Sequence, residues 1–451
     1  MKNQINRRLT TLATLAALAT CMNASAQSRQ IPAPEQARPI AILNATVHNP
    51  PAEVDGVEEL LIENGHVLFV DGRITSIGSG TPEDLEGYEI LDASGLHVYP
   101  GLVAGPTQLG LIETMQVDAT DDRRELDNEH PEVTTWLAIN PDSDLIPVAR
   151  SAGILTALVF PSGGTIGGQP SAIRLDGWTT EDLVMERSLG IVVNWPLVHP
   201  ISSRWSRRSG FDQSSRSAEQ IEEISTFFDD AEAWNNAREH DETVPFNARF
   251  AAMKPVLDGD LPVFIDASRA SQIESAISWA NKRDLKIVIV GANGSGSCAE
   301  LLAEQDIPVI LRGTLRLPLN RHDRTDSPFT TASELHEAGV LFSIGNSEGE
   351  PAHERWLAHH AATAAAHGLP RGAALRSITL SPAEIMGLDS EIGSLEPGKC
   401  ATLLVTTGNP MEITSETLVA FIDGRRIDLD DRQKQQLRKY REKYRQLGLG
   451  E

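Results

Sequence analysis

From Leu261 to Ile344 the sequence repeats one cycle, a short apolar run followed by a stretch with helical spacing. Leu261 to Ala267 reads as a strand, Ser271 to Asp284 as a helix and Leu285 to Val290 as the next strand. Ala299 to Gln305 is helical, Ile307 to Leu311 extended, Ala332 to Ala338 helical and Val340 to Ile344 extended. Apolar runs without alternation belong to strands covered on both faces, and helices between them make βαβ units with a parallel sheet. Helical runs at Ala352 to His367 and Ala373 to Ile378, and the run Ser381 to Leu388, continue the pattern. A chain of 451 residues has room for one large barrel plus a smaller unit.

The flanks are different. From Pro39 there are short apolar runs at Ile40 to Val47, Leu60 to Ile62 and Val67 to Val70; Asp71-Gly72 then leads into Arg73 to Ile77, a two-residue hairpin signal. Tyr88 to Gly95 follows. Near the other end, Ile392 to Lys399 precedes Ala401 to Val405, and Val419 to Ile422 runs into Asp423-Gly424.

Between flank and repeats stands His97-Val98-Tyr99-Pro100-Gly101-Leu102-Val103-Ala104-Gly105-Pro106-Thr107-Gln108-Leu109-Gly110-Leu111, an apolar run that surfaces in small and polar residues. It resembles the first barrel strand of the amidohydrolase superfamily, Pro-Gly-Leu-Ile-Asp-x-His-x-His-Leu-Gly, and Gly393-Ser394-Leu395-Glu396-Pro397-Gly398-Lys399 resembles a segment of that family's small β domain. The resemblance covers about residues 38–427. It implies an α/β fold: a TIM-like (β/α)8 barrel with a small composite β-sandwich built from both chain ends. The expected organisation is a signal peptide at 1–26, a linker at 27–37, sandwich at 38–96, barrel at 97–388, sandwich again at 389–428 and a helix at 429–451. The implied function is hydrolysis of carbon–nitrogen bonds, in non-peptide or dipeptide substrates, in an exported branch similar to imidazolonepropionases and prolidases. Zn or another divalent metal at the strand ends would be its cofactor.

The residues that the resemblance assigns to metal are substituted. Pro106 and Gln108 replace the two His of the first strand, and Ala104 replaces its Asp. After Val263 to Ile265, Asp266 and Ser268 stand where relatives carry His, followed by Arg269. The strand end at Asn293 has no His, and the expected catalytic Asp falls on Asn346 or Ser347, with Glu348 one register away. Arg174 occupies the place of a carboxylated Lys, and a guanidinium stays protonated. Pro offers no ligating atom and Gln a weak one. The expectation is therefore a cleft without metal, walled by Pro106, Gln108, Arg174, Asp266, Ser268, Arg269, Asn293, Asn346 and Ser347, with Asp266 and Glu348 as the remaining catalytic candidates and hydrolysis impaired. Two alternatives stay open: an active metal-dependent amidohydrolase with an atypical site, and a non-catalytic partner of an active homologue. His359 and His360, adjacent on a helix, cannot face one ion together and read as packing. The run Ser162 to Pro170 lacks the Gly-Lys-Ser/Thr ending of a phosphate loop and reads as a loop lining the mouth.

A net charge of −24 argues against nucleic acid as a partner. Lys2, Arg7 and Arg8, the apolar stretch Leu9 to Ala19 and Ala24-Ser25-Ala26 read as a secretory signal, too short to span a bilayer, so a periplasmic location without a transmembrane segment is expected. A lipoprotein anchor at Cys21 fits less well, because Thr20 precedes it. Cys298 and Cys400 stand far apart, so neither a disulfide framework nor a thiolate cluster is expected. Ile221, Ile224, Phe227, Phe228, Ala231 and Trp234 predict an amphipathic helix on the barrel rim, and Leu437, Tyr440, Tyr444 and Leu447 a docked terminal helix with a basic outer face. The expected partners are a small molecule in the barrel mouth and, through these two added helices, a second copy or a metal-competent homologue.

Overall fold

The computed structural model describes residues 30–199, 210–346 and 351–449. The segment 1–26, expected to be a secretory signal, and the expected site positions Ser347 and Glu348 lie outside the described residues. No helix among the described residues is long and apolar enough to cross a membrane.

The chain begins with β1 (Ile40–Asn49), β2 (Leu60–Val70) and β3 (Arg73–Ser79). Asp71 and Gly72 join β2 to β3 with both φ positive, the geometry a tight two-residue hairpin turn demands. Next come β4 (Glu89–Asp92) and β5 (His97–Pro100), both parallel to β1. The first barrel strand, β6 (Leu102–Thr107), follows at once, then α1 (Leu145–Ser151) and β7 (Ile154–Val159). An antiparallel excursion of β8 (Ile166–Gly168), β9 (Ser171–Arg174) and β10 (Val184–Glu186) leads to β11 (Ile191–Asn194), α2 (Gly210–His240) and α3 (Ala248–Leu257). The repeats seen in the sequence are β12 (Val263–Ala267), α4 (Ala270–Asn281), β13 (Ile287–Gly291), α5 (Ala299–Glu304), β14 (Val309–Arg312), α6 (Ser327–Glu337) and β15 (Phe342–Gly345). A 3-10 turn at Pro351–Trp356 feeds α7 (Leu357–Ala366), and α8 (Arg371–Arg376) and α9 (Leu380–Ile385) close the unit. Then β16 (Leu403–Thr406), β17 (Thr417–Ile422) and β18 (Arg425–Arg426) return to the first sheet, and α10 (Arg432–Gln446) ends the described chain.

Both chain ends thus build one sheet, in the order β18-β17-β16-β5-β1-β2-β3. The sheet rolls round on itself: Arg73 of β3 bridges to Cys400, and Ile74 N–H donates to the Lys399 carbonyl at 2.9 Å. Ile42, Val67, Phe69, Leu403 and Phe421 fill its interior.

The α/β part has the strand pattern of a TIM-like barrel, split over two sheets: β10-β9-β7-β6 and β15-β14-β13-β12-β11-β8. The expectation of eight parallel strands meets seven in the described ladders, because the third position is taken by the reversing pair β8 and β9, one in each sheet. Opposite that pair, the seam between β6 and β15 is stitched by a loop: Val103 N–H donates to the Ile378 carbonyl and Ile344 N–H to the Ser377 carbonyl, both at 2.9 Å. Strands such as β13, Ile-Val-Ile-Val-Gly, are buried at every position because helices cover one face and barrel packing the other.

The long helix α2 lies on the barrel as its spacing suggests. Ile224, Phe228 and Ala231 are fully buried in the main core, and Phe228 meets Trp279 edge-on with ring centroids 4.9 Å apart. That burial corrects the idea that Phe227 and Phe228 mediate dimerisation, since each contributes about 1.5–3 kcal/mol to its own chain's core. The terminal helix is the reverse case. No residue of α10 is buried, and its apolar stripe is about half exposed, so it is not docked along its length. Asp431 caps it by accepting from Lys434 N–H at 2.8 Å and also takes the Ser151 hydroxyl at 2.5 Å.

A buried charge cluster clamps the two units. Asp176, just beyond β9, accepts from Arg150 of α1 at 2.5 Å, from Arg425 of β18 at 3.1 Å and from the Ala33 N–H at 2.9 Å. Removing the carboxylate would strand two guanidinium groups away from water, so Asp176→Ala is expected to lower stability by about 3–5 kcal/mol in urea unfolding. A loss below about 1 kcal/mol, the size of a surface pair, would show that the clamp does not hold the units together.

Candidate functional site

The carboxy ends of β6, β12 and β14 and the loops after β6 and β7 enclose a cleft of about 300 Å³. Three of the expected residues are on its wall: Pro106, Gln108 and Asp266. So is Gly163, in the glycine-rich loop, whose carbonyl accepts from Asn194 at 3.1 Å, so that loop does line the mouth.

The expected donors are already engaged. Asp266 Oδ2 accepts from Arg312 at 2.7 Å, and Gln108 Oε1 accepts from Arg123 at 3.2 Å. Arg123 also forks onto both oxygens of Asp121, each at 2.7 Å, a bidentate bond that raises the Arg123 pKa and lowers that of Asp121. A divalent ion needs several anionic or imidazole donors converging on one point. Among the described residues no three His, Cys, Asp or Glu side chains converge in that way. The described residues do not fit the metal that the family resemblance implies; the carboxylates Asp121 and Asp266 are paired with guanidinium groups instead.

Behind the wall lies a buried polar chain that sequence reasoning missed. Glu354, in the 3-10 turn after β15, is 3 % exposed and lines the cleft. It accepts the Thr107 hydroxyl at 2.6 Å, and Asn346 also hydrogen-bonds its carboxyl. His360 Nε2 lies 3.0 Å from Asn346 Oδ1, while its Nδ1 accepts from the Thr314 and Leu315 N–H groups at 3.0 and 3.2 Å. His360 therefore does more than pack, as first read. Burial pushes the Glu354 carboxyl up to about 7 and holds the His360 imidazole down at about 4. Both groups are thus neutral in mildly acidic solution.

The other expected residues are elsewhere. Because β9 runs antiparallel to β7, Arg174 pairs with Thr156 at the foot of the barrel and forms an ion pair with Asp423. Arg269 and Asn293 line a separate depression of about 410 Å³, where Arg269 bonds Asn320 at 2.5 Å. Ser268 lies past the end of β12, with its carbonyl accepting from Gly294 N–H at 2.8 Å, and Asn346 is buried behind the cleft. Burial raises the thiol of Cys298 to about 11, so it is no nucleophile.

The Glu354 shift carries a sign. The unfolded chain loses this proton near the ordinary value of 4.5 and the folded chain keeps it until about 7, so stability present below pH 4.5 is lost as pH rises through 7. His360 works the other way, its contribution being lost as pH falls from 6.5 towards 4. The difference between the wild type and Glu354→Gln isolates the first term. The variant is expected to gain roughly 3 kcal/mol relative to the wild type between pH 4.5 and 8. A pH-independent difference in chemical denaturation would refute the buried-acid assignment.

Comparison with known proteins agrees with this architecture. Residues 276–428 match the family model described as Amidohydrolase family. The curated protein Amidohydrolase tasK of Hapsidospora irregularis is 23% identical over 400 residues, which cover 81% of this chain and 39% of that protein. The chain thus spans about two fifths of that relative's length. Among solved structures, an amidohydrolase from Thermotoga maritima MSB8 aligns with a TM-score of 0.73 at 24% identity, covering 86% of this chain and 99% of the other. A prolidase complexed with N-methylphosphonate-L-proline aligns at 0.53 and 16% identity, covering 86% and 99%. At these identities the structural likeness speaks for the fold.

Proposed function

We propose, from the premise that the chain belongs to the amidohydrolase superfamily, that its cleft takes a small carbon–nitrogen-bonded molecule without a divalent ion and with hydrolysis impaired. Family membership supports a hydrolase ancestry. The observation that carries the departure from it is the pairing of Asp266 with Arg312 at 2.7 Å. A guanidinium orients a polar ligand, but it has no open coordination position at which to lower the pKa of a water. The two mixed sheets are, in this reading, arcs of one (β/α)8 barrel, and the rolled sheet is the composite sandwich. The segment at 1–26 directs the chain to the periplasm.

Purified full-length protein is expected to hold substoichiometric Zn, Mn and Fe after dialysis, with a melting temperature unchanged by chelator. One tightly held ion per chain in elemental analysis would overturn the reading. Because a similarly folded prolidase is complexed with a proline derivative, proline dipeptides are the first ligands to try by thermal shift.

The partner is a second copy or a metal-competent homologue, and the surface for it is α10. Leu437, Tyr440, Tyr444 and Leu447 form an apolar stripe that the described residues leave about half exposed. A paired change Tyr440→Glu and Tyr444→Glu is expected to convert a dimer to a monomer in light scattering without lowering the melting temperature. A wild-type monomer at micromolar concentration, together with no homologue recovered from periplasm, would dispose of the interface.

A further inference from the structure

The polar chain behind the cleft has one atom left over. Thr107 Oγ1 donates to Glu354 Oε1 at 2.6 Å and itself accepts from Leu109 N–H at 3.2 Å, so its proton has one direction. Backbone N–H groups at His360 Nδ1 place that ring's proton on Nε2, facing Asn346 Oδ1. This leaves the Asn346 amide NH2 as the donor towards Glu354. Glu354 Oε2 has no hydrogen-bond partner among the described residues, although the residue forms part of the cleft wall. A buried polar atom without a partner is costly and calls for an explanation.

We infer that Glu354 is a ligand-binding residue, standing as a neutral carboxylic acid that donates from Oε2 to the carbonyl oxygen of a small amide held in the cleft. The inference rests on the reading of the cleft as a small-molecule site. Two donors already serve the carboxyl, so the role open to Oε2 is that of donor. Burial removes the water that would stabilise a carboxylate, and among the described residues no cation takes its place. Arg123 and Arg312 are engaged with Asp121 and Asp266, His360 is neutral and lies behind Asn346, and His353 on the same turn stacks on Trp356. Since the cleft's charges are paired internally, a neutral acceptor fits better than an anion. The carboxyl's elevation to about 7 agrees with this role.

The test uses the full chain with carbon-13 at the Glu side-chain carboxyl, and N-methylacetamide as the probe. A carboxyl signal titrating near pH 7 is expected, absent in Glu354→Gln and moved further upward in Thr107→Val, which identifies it even if the first variant fails to fold. Saturating probe should raise that pKa by about one unit, and probe affinity should fall about fivefold between pH 6 and pH 8. Glu354→Gln should bind equally at both pH values, because its amide still donates. If the probe shifts the backbone signals of Gln108 and Arg123 but leaves the Glu354 titration and the affinity unmoved, Glu354 is not the donor and this inference falls alone. If the probe moves neither, the small-molecule reading of the cleft falls with it.

Discussion

At the seam between the two barrel sheets backbone lies against backbone, Gly345 at the end of β15 against the Gly105 carbonyl in β6. A Cβ on Gly345 would run into that oxygen, so the seam tolerates no side chain there. The Ser377–Ile378 loop can then bond to both edges, and the residues that follow the two glycines come side by side. Thr107 is two residues beyond Gly105 and Asn346 one beyond Gly345. Both reach Glu354 only because the strands carrying them are in contact.

This dependence explains what could and could not be read from the sequence. Hairpins are local, so Asp71-Gly72 and Asp423-Gly424 declared themselves, and both prove to have positive φ at each residue. Buried parallel strands are local too, and the runs in β12 to β15 fell within a few residues of where their apolar content put them. The site is not local. Arg312 reaches Asp266 across 46 positions and Glu354 reaches Thr107 across 247, and no spacing rule connects such pairs. Family resemblance pointed to Asp266 and to the strand that carries Thr107, and was silent on Arg312 and Glu354.

Three misplacements come from where strands turn back or end. Arg174 was assigned to the mouth as if its strand ran parallel to β7, whereas β9 runs back and carries it to the foot. Ser268 shares the period-two face of Asp266, but β12 ends at Ala267 and the chain turns into α4 before a second side chain can point into the cleft. Asn293 follows Gly291 and Ala292, both at positive φ, which swing it towards the neighbouring depression. Counting along a strand is safe only while the strand continues.

In the metal-free reading proposed above, guanidinium groups paired with carboxylates change what the rest of the cleft would have to do. A metal concentrates charge at one point and polarises whatever binds there. Arg123 and Arg312 each spread one charge over a planar group and spend most of it on Asp121 and Asp266. The field left for a ligand is weak, so recognition falls to hydrogen bonds. Of the groups around the cleft, a buried carboxyl with one oxygen unpartnered is the one whose cost to the folded chain is unrecovered when the cleft is empty. A ligand that accepts its proton would return that cost as affinity, which makes Glu354 the point where stability and binding are coupled.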